Sequence, residues 1–255
     1  MNLILFNRSE RKNNQLVIGG RRAAHILKVI RARCGDRLRV GEEGGGQGSA
    51  TVIAIGEQTV TLKLSEKLSE STMCMQTPLA MTTLTIALPR PKVVLRTIST
   101  AASFGVGSIE VINAWRVDKS YFSSPRLQPD ALRHAAILGC EQGGHTHIPQ
   151  ISIHPRFLGW LNQFDLDPAE RRMVLHPRAP RHLGAATRVQ AHRKTRIAIG
   201  PERGWIDREL ESLGDRGFVP VCLSSSVLRV ETAVTAALAQ FELLSMFVES
   251  NEIAG

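Results

Sequence analysis

The pattern of hydrophobic and polar positions divides the chain into two parts, joined by a linker-like stretch at 71–81. In the first part, short runs alternate between apolar and polar residues, which is typical of strands with one buried face. Three such runs predict strands, at 38–40, 50–55 and 59–64. The glycine-rich stretch 41–48 predicts a hairpin tip, and apolar residues at helical spacing predict a helix over 21–30. This part is interpreted as a small β-rich domain.

In the second part, strand-like runs alternate with helical ones. The predicted strands are 83–88, 108–113, 173–176, 195–199 and 218–223. The predicted helices are 92–104, 130–142, 207–213 and 230–248. Because a strand–helix–strand unit places its two strands parallel, this alternation predicts an α/β domain with a mostly parallel sheet. Ligands of such sheets gather beyond the carboxyl ends of the strands, so the loops there are the first places to look for a site.

The charge of the chain favours a polyanionic partner. Among 255 residues, 32 Lys and Arg stand against 23 Asp and Glu, and the formal net charge is +9. The excess is greatest in the first 40 residues, which indicates either a surface for phosphate groups or a merely basic protein. The candidate RNA contacts there are Arg8, Arg21, Arg22, His25, Lys28, Arg31 and Arg33. His25 is equally well interpreted as a histidine satisfied within the fold.

The cysteines and histidines predict neither a disulfide framework nor a metal site. The four cysteines, Cys34, Cys74, Cys140 and Cys222, form no C-x-x-C pair, which is typical of a reducing compartment. Three histidines between 145 and 154 have no Cys or carboxylate beside them to complete a ligand set. No apolar run reaches the length of a membrane span, and the apolar start MNLILF is too short for a signal peptide. The expectation is a soluble cytoplasmic protein with no membrane or metal partner.

One candidate site is the stretch Gly200-Pro201-Glu202-Arg203-Gly204, which follows a predicted inner strand. Glycine allows another group to approach the backbone closely, and proline fixes the entry to the turn. The stretch lacks the G-K-[ST] ending of a phosphate-binding loop and the spacing of G-x-G-x-x-G. An ordinary tight turn between a strand and a helix is the alternative interpretation.

A second candidate site follows the strand at 218–223, where a loop of three serines leads into a long helix. Arg229 and Glu231 interrupt an otherwise apolar approach to that helix. The serines are typical of helix caps and the apolar stripe of the helix is typical of core packing. Neither interpretation accounts for the two charges. If the strands before the two loops are neighbours, the loops form one cleft.

The residues of these loops carry a resemblance to a known family. GPERGW at 200–205 and LSSSVLRVETAVTAAL at 223–238 resemble the GPEGG and LG-x-x-[IV]LR-x-ETA signatures of the 16S ribosomal RNA uridine-N3 methyltransferase family. That family belongs to the SPOUT superfamily. The stretch HILKVIR at 25–31, followed by CGD, is similar to the family's H-x-x-x-VLR-x-x-x-GD. EQG at 141–143 is similar to its EQSGR, so the resemblance spans nearly the whole chain.

The resemblance implies a fold and an assembly. Residues 1–72 would form a PUA-like β-barrel that holds RNA, and residues 80–255 a SPOUT α/β domain with a C-terminal trefoil knot. Two copies would form a homodimer. The partner would be 16S rRNA or the small ribosomal subunit.

The resemblance also implies a cofactor, S-adenosylmethionine (SAM), lying against three loops that each follow a strand. Adenine needs an apolar slot and backbone hydrogen bonds more than charged side chains, which fits these loops. The implied cofactor-binding residues are Leu175, His176, Pro177, Ile199, Gly200, Pro201, Glu202, Gly204, Leu223, Ser224, Val227, Leu228, Thr232 and Ala233.

The implied reaction places a methyl group on N3 of a uridine, which requires the N3 proton to leave. Glu231 is the candidate base, and Arg229 is the candidate group to stabilise charge on the uracil oxygens. The alternative is a structural ion pair between the two at a helix start. Arg203 stands where the family has glycine, and 99–105 lacks the Lys and Glu of the family's K-x-x-ELG. Two other functions therefore stay open: a SPOUT methyltransferase for another rRNA or tRNA position, or a catalytically silent RNA-binding ribosome-assembly factor.

Overall fold

The chain forms two compact units in the computed structural model. The described residues are 3–65, 68, 77–186 and 193–252, with side chains described up to 246. The first unit comprises 1–76 with 140–148, and the second comprises 77–139 with 149–255. Most of the expected linker, residues 71–76, lies outside the described residues.

The first unit is built on a six-stranded sheet with the strand order β1-β4-β5-β6-β3-β2. Its strands are β1 (Ile4–Phe6), β2 (Arg11–Lys12), β3 (Gln15–Gly19), β4 (Arg37–Glu42), β5 (Gln47–Ile55) and β6 (Thr59–Leu64). β1 pairs with β4 in parallel, and every other neighbouring pair is antiparallel. The predicted hairpin is confirmed, because β4 and β5 pair directly across the turn between them. The first three strands, all short, were not predicted.

The core of the first unit follows from the alternation of its strands. Leu16 and Ile18 of β3 and Leu62 of β6 are fully buried, while the residues between them point to solvent. This is the period of two that a sheet with one buried face requires. The register of β5 against β6 shifts between Val52 and Ala54, which marks a β-bulge.

The helix predicted over 21–30 is confirmed in position, and of the apolar stripe that predicts it, Ala23, Ile26, Leu27 and Ile30, only Ile30 lies outside the core. α1 (Gly20–His25) continues as a π-helical turn over Ile26–Ile30. Ala23 and Ile26 are buried, but Ile30 is 40% exposed, because the wider turn rotates it out of the apolar stripe. Arg31, in the left-handed conformation with φ 57°, ends the helix.

The second unit is a parallel six-stranded sheet with the order β12-β10-β11-β7-β8-β9. Its strands are β7 (Thr82–Ala87), β8 (Ser108–Ile112), β9 (Gln150–His154), β10 (Arg171–Leu175), β11 (Thr195–Ile199) and β12 (Phe218–Val221). The helices after α1 are α2 (Pro91–Ser103), α3 (Pro129–Gly143), α4 (Phe157–Leu161), α5 (Leu183–Ala186), α6 (Asp207–Gly214) and α7 (Val230–Glu252). The predicted α/β architecture with a parallel sheet is confirmed, and β9, α4 and α5 were not predicted.

Helix α2 illustrates why these residues form these elements. Pro91 occupies the first turn, where its missing N–H costs nothing, and Gly105 with φ 74° follows the end of the helix. The helical spacing of Val94, Ile98 and Ala101 predicts that they face inward, and all three are buried. Their spacing keeps one stripe of the helix against the core.

A network of buried charges lies on the sheet of the second unit. Arg196 of β11 pairs with Glu110 of β8 and, at 3.1 Å, with Glu170, which also binds Arg172 of β10 at 2.6 Å. Trp160 donates its indole N–H to Glu110 at 2.8 Å. The two guanidinium groups lie over the ring of Phe164. The network therefore joins three strands and α4 through charged groups that are largely shielded from water.

We expect Glu110→Ala to lower the free energy of unfolding by about 3 kcal/mol, because it leaves Arg196 buried without its partner on β8. The measurement is urea unfolding followed by circular dichroism. Glu211→Ala, which removes an exposed carboxylate from α6, is the control and should change stability by less than about 0.5 kcal/mol. Equal effects of the two changes would contradict a stabilising role for the network.

Candidate functional site

Three loops meet at the carboxyl edge of the second unit's sheet. They follow β10, β11 and β12, and because the strands are parallel, all three loops leave the sheet on the same side. The expectation that the strands before the two motif loops are direct neighbours is wrong, since β10 lies between β11 and β12. Its own loop, which begins at Leu175, fills the gap between the other two. The single cleft is therefore built from three loops.

These loops enclose a cavity of about 490 Å³, here called the strand-end cavity. Thirteen of the fourteen residues implied as cofactor-binding line it: Leu175, His176, Pro177, Ile199, Gly200, Pro201, Glu202, Gly204, Leu223, Ser224, Val227, Leu228 and Ala233. Thr232 is exposed and lies outside the lining. The two sequence motifs, about two dozen residues apart, thus share one concave surface.

The two glycines of the first motif, Gly200 and Gly204, are each required for a different physical reason. A Cβ at Gly200 would lie 2.9 Å from the indole nitrogen of Trp205, so only glycine lets that ring close onto the backbone. Gly204 has φ 74°, a conformation that side chains other than glycine's rarely adopt, and open space surrounds it. Gly200 therefore serves packing, and Gly204 serves the turn.

Trp205 contributes an unsatisfied donor to the lining. Its side chain is 5% exposed, and within the described residues its indole N–H has no hydrogen-bond partner. A buried indole N–H normally finds an acceptor, because leaving it unsatisfied costs free energy. The indole nitrogen is therefore a buried donor, packed against Gly200, that no acceptor of the described residues satisfies.

Glu209 holds two parts of the cavity together. Its carboxylate, on the first turn of α6, is buried and accepts hydrogen bonds from the backbone N–H of Ile206 at 3.0 Å and of Trp115 at 2.7 Å. Trp115 follows β8, and its neighbour Arg116 lines the cavity. One side chain therefore fixes the loop after β8 against the loop after β11.

The charges of the lining come from both signs. Arg116 donates to the backbone carbonyl of Arg203, and Glu202 accepts a hydrogen bond from the backbone N–H of Arg90 at 3.1 Å. Arg178 and Asp207 add one charge of each sign. With the apolar side chains of the three loops, the cavity can accommodate a molecule that has an apolar ring and polar ends.

Arg229 and Glu231 lie outside the residues that line the cavity. Arg229 is exposed, and Glu231 is half-buried at the start of α7. The ion pair that Glu231 forms is with Arg96 of α2, at 3.9 Å, rather than with Arg229. The alternative interpretation of a structural pair between Arg229 and Glu231 therefore has no support from the described residues.

Seven residues of the lining are not among the fourteen implied as cofactor-binding: Arg116, Arg178, Arg203, Trp205, Asp207, Ser226 and Val230. Arg203 belongs to the first candidate stretch. Five of the seven lie within the two motif stretches or beside them, so extending the motifs outward finds them. Arg116 had a different signal. It follows β8, whose carboxyl end lies at the same edge of the parallel sheet, and that edge is where ligands gather.

Two of the candidate RNA contacts in the first unit are engaged within the fold. Arg22 binds Glu10 and the carbonyl of Leu5, and the hydrogen bond from Arg22 holds the pKa of Glu10 below its ordinary value. Arg21 binds the buried carboxylate of Glu141 at 2.6 Å. These side chains stabilise the first unit and have less freedom to meet phosphate.

The other basic candidates are more accessible. Arg8 keeps 90% of its side chain exposed, and Lys28, Arg31 and Arg33 are exposed as well. His25 is half-buried, and burial lowers its pKa, which disfavours its charged form. The lysine and arginines remain the candidates for phosphate contacts.

No three His, Cys, Asp or Glu side chains of the described ranges come together as metal ligands would. In the same part of the chain, no helix has the length and apolar content to cross a bilayer.

Comparison with known proteins places this geometry in a family. A family model described as an RNA methyltransferase domain matches residues 75–242. Ribosomal RNA small subunit methyltransferase E of Treponema pallidum is 30% identical over 246 residues, which cover 94% of this chain and 90% of that protein. Ribosomal RNA small subunit methyltransferase E 1 of Borreliella burgdorferi is 27% identical over 237 residues, covering 93% and 95%.

Solved structures share the fold. Ribosomal RNA small subunit methyltransferase E of Neisseria gonorrhoeae, solved with S-adenosyl methionine, has a TM-score of 0.74 at 20% identity, covering 95% of this chain and 98% of that one. A protein of Legionella pneumophila, solved with bound SAM, has a TM-score of 0.75 at 21% identity, covering 95% of this chain and 97% of that one. From the family model and the relatives together, the chain belongs to the RNA methyltransferase family, as the resemblance of its loop motifs indicates.

Proposed function

We propose that this protein is a SAM-dependent methyltransferase that methylates N3 of a uridine in 16S ribosomal RNA. The observation that carries the proposal is the strand-end cavity, which both sequence motifs line and which parallel sheets use for ligands. Relatives named ribosomal RNA small subunit methyltransferase E, matched over nearly the whole chain, support the RNA target. The resemblance of the motifs supports the uridine and its N3 atom.

The lining residues fit SAM. Leu175, Val227 and Leu228 supply apolar surface for an adenine ring, and the backbone of the three loops supplies hydrogen bonds. A volume of about 490 Å³ lies within the range of small-molecule sites. When bound, SAM supplies a methyl group on a positively charged sulfur, which a nucleophile takes in one displacement.

The residues of the chain itself position the two reactants and accept the proton that leaves uridine N3. A displacement needs the attacking nitrogen in line with the methyl group, and holding the two together lowers much of the barrier. Uridine N3 must also lose its proton, for which Glu231 is the candidate base. Arg229 is the candidate group for the charge that develops on the uracil oxygens. Since both lie outside the lining, they would meet the nucleotide at the start of α7.

The loop after β8 offers a second set of contacts for the nucleotide. Trp115 is 79% exposed, and its backbone is fixed by the buried carboxylate of Glu209. An exposed indole can stack on an unpaired base, which suits a target base turned out of its RNA. Arg116, next to it, lines the cavity. The proposal places the target base between this loop and the cofactor.

The proposal includes the finer features that the resemblance implies. These are a PUA-like barrel in the first unit, a trefoil knot around the cofactor loops, and a homodimer. Exposed Leu243 and Met246, three residues apart on α7, provide an apolar face that supports contact with a second copy.

A catalytically silent RNA-binding assembly factor is the second candidate. It is favoured by one observation, the absence of the family's Lys and Glu from the stretch 99–105 at the end of α2. Calorimetry with SAM separates the two candidates, because a silent factor has no need to bind the cofactor. Absence of SAM binding by the folded protein would favour the silent factor.

The proposed target is tested in cells. We expect that small-subunit rRNA from a strain lacking the gene loses one N3-methyluridine, and that the gene restores it on a plasmid. Mass spectrometric mapping of the rRNA is the measurement. Persistence of every N3-methyluridine after deletion would contradict the target, and loss of a different modification would support another SPOUT activity.

We expect Gly200→Ala to weaken SAM binding by about tenfold or more, because a Cβ 2.9 Å from the Trp205 indole nitrogen forces the ring to shift. Overpacking of this kind costs about 1–3 kcal/mol. Calorimetry measures the affinity. Gly184→Ala is the matched control, since nothing lies within 4 Å of its added Cβ. Unchanged SAM affinity in the Gly200 variant would remove this loop from the cofactor site.

We expect Arg229→Ala to lower the rate of methyl transfer by about a hundredfold, as loss of a charge-stabilising donor does. Because Arg229 is exposed, the melting temperature and the SAM affinity should stay close to those of the wild type. The measurements are single-turnover transfer to rRNA and calorimetry. Arg208→Ala, an exposed arginine of α6, is the control. Full transfer by the Arg229 variant would exclude that residue from the reaction.

A further inference from the structure

A second cavity lies at the opposite end of the same strands. It has a volume of about 470 Å³ and is lined by Arg171 at the start of β10 and by Gly217 and Val219 around the start of β12. The strand-end cavity begins at Leu175, the last residue of β10, whereas most of the second cavity is lined by residues at or before the first residues of β10, β11 and β12. Arg181, from the segment after β10, completes the lining. Nothing in the proposed methyl transfer uses this second cavity.

The lining of the second cavity is unusually rich in arginine, and it is here called the basic pocket. Five guanidinium groups face two carboxylates, which leaves three positive charges in excess. The arginines are Arg171, Arg172, Arg181, Arg193 and Arg216, and the carboxylates are Asp167 and Glu170. Such a concentration in a concave surface focuses a positive potential.

Two of these arginines, Arg172 and Arg216, also form hydrogen bonds within the fold. The guanidinium of Arg172 donates to Glu170 at 2.6 Å and to the carbonyls of Asp165 and Arg216, each at 2.8 Å. Arg216 donates to the carbonyl of Phe164 and to the side chain of Asn162. These two arginines build the wall of the basic pocket and give it a fixed shape.

The carboxylates of the basic pocket are engaged as well. Glu170 accepts from Arg172 with one oxygen and from Arg196 with the other. One oxygen of Asp167 accepts the backbone N–H of Ala169 at 2.8 Å. Because Glu170 divides its charge between two guanidinium groups, one of them outside the lining, the basic pocket keeps its positive excess.

Arg171 and Arg193 lie close enough to affect each other. Burial and the charge of Arg193 both lower the pKa of Arg171, which means that the two cations are held together at a cost. Arg193 is itself fixed by its bonds to the carbonyls of Pro168 and Ala169. An anion between such groups would remove the repulsion and gain charge-assisted hydrogen bonds.

We propose that the basic pocket binds a phosphate group of the RNA backbone. The planar guanidinium group matches phosphate geometry, and arginine is the side chain most suited to it. The inference rests on the proposed function for the source of the phosphate, since an RNA substrate supplies phosphodiesters in register. A phosphate held beyond the amino ends of the strands fixes the orientation of the RNA without reading its sequence.

The test compares wild type with Arg181→Ala and with Arg181→Ala/Arg193→Ala. Fluorescence anisotropy measures binding of poly(U) RNA over a series of salt concentrations. The slope of log K against log salt is negative. We expect it to become shallower by about 0.7 for each phosphate of the single-stranded RNA that a variant no longer neutralises. Arg208→Ala removes one positive charge from outside the basic pocket and should leave the slope unchanged. The single variant, altered at an exposed side chain, keeps the test valid if the double variant unfolds.

A second arm separates RNA phosphate from a free anion. Phosphorus NMR measures the binding of inorganic phosphate by wild type and by each variant at low salt. An unchanged RNA slope in the Arg181 variant and the folded double variant overturns the proposal. If inorganic phosphate binding is lost while the RNA slope is unchanged, the pocket takes a free anion and the RNA assignment is wrong.

The same preparations keep this inference distinct from the proposed function. SAM affinity and single-turnover methyl transfer are measured beside RNA binding. Lack of methyl transfer by the wild type, with a slope that still depends on Arg181 and Arg193, contradicts the proposed function and supports the basic pocket. Normal methyl transfer with a salt slope that depends on neither arginine supports the proposed function and contradicts the assignment of the basic pocket.

Discussion

The second unit depends on a set of charges that its sheet takes out of water. Glu110, Glu170, Arg172 and Arg196 come from β8, from the segment before β10, from β10 and from β11, and each finds its partner on another element. A buried charge left alone costs several kcal/mol, so an arrangement that pairs these charges is favoured over one that does not. The pairs thus favour the observed arrangement of strands whose carboxyl ends carry the loops of the candidate site. The charge pairs affect the choice of strand register as well as stability, because a strand whose two faces are both apolar can pair in more than one register.

Ring contacts connect this network to the candidate site. Trp160 donates to Glu110 and lies 5.9 Å from the ring of Phe157, which lies 6.3 Å from the ring of Trp205. Trp205 in turn closes onto Gly200, where no side chain would fit. The position of the loop after β11 therefore depends on packing that begins at Glu110 of β8. For a reaction that relies on placing two atoms in line, a rigid support of this kind is the main requirement.

The two cavities of the second unit lie toward opposite ends of the strands and differ in the residues that line them. Beyond the carboxyl ends, small residues and backbone groups make a surface for a molecule with a ring and polar ends. Beyond the amino ends, five arginines make a surface for an anion. An RNA enzyme needs both kinds of surface, since a reactive centre gives chemistry and phosphate contacts give register. Having them on one rigid sheet keeps the distance between them constant.

The resemblance of the motifs to a known family implied thirteen of the twenty residues that line the strand-end cavity. The sequence by itself determined the alternation of strands and helices and the inward face of α2. These are local properties: the period of apolar residues and short runs of glycine and small residues are visible in a window of a few positions. Only the tertiary structure decided that β10 lies between β11 and β12, that Arg116 joins the cavity, and that Arg21 and Arg22 bind carboxylates. It also decided that Arg229 and Glu231 lie outside the lining, and that arginines from 171 to 216 share a pocket. Each of these depends on which distant segments become neighbours, and that is set by the pairing of strands and of buried charges, which no local pattern of residues records.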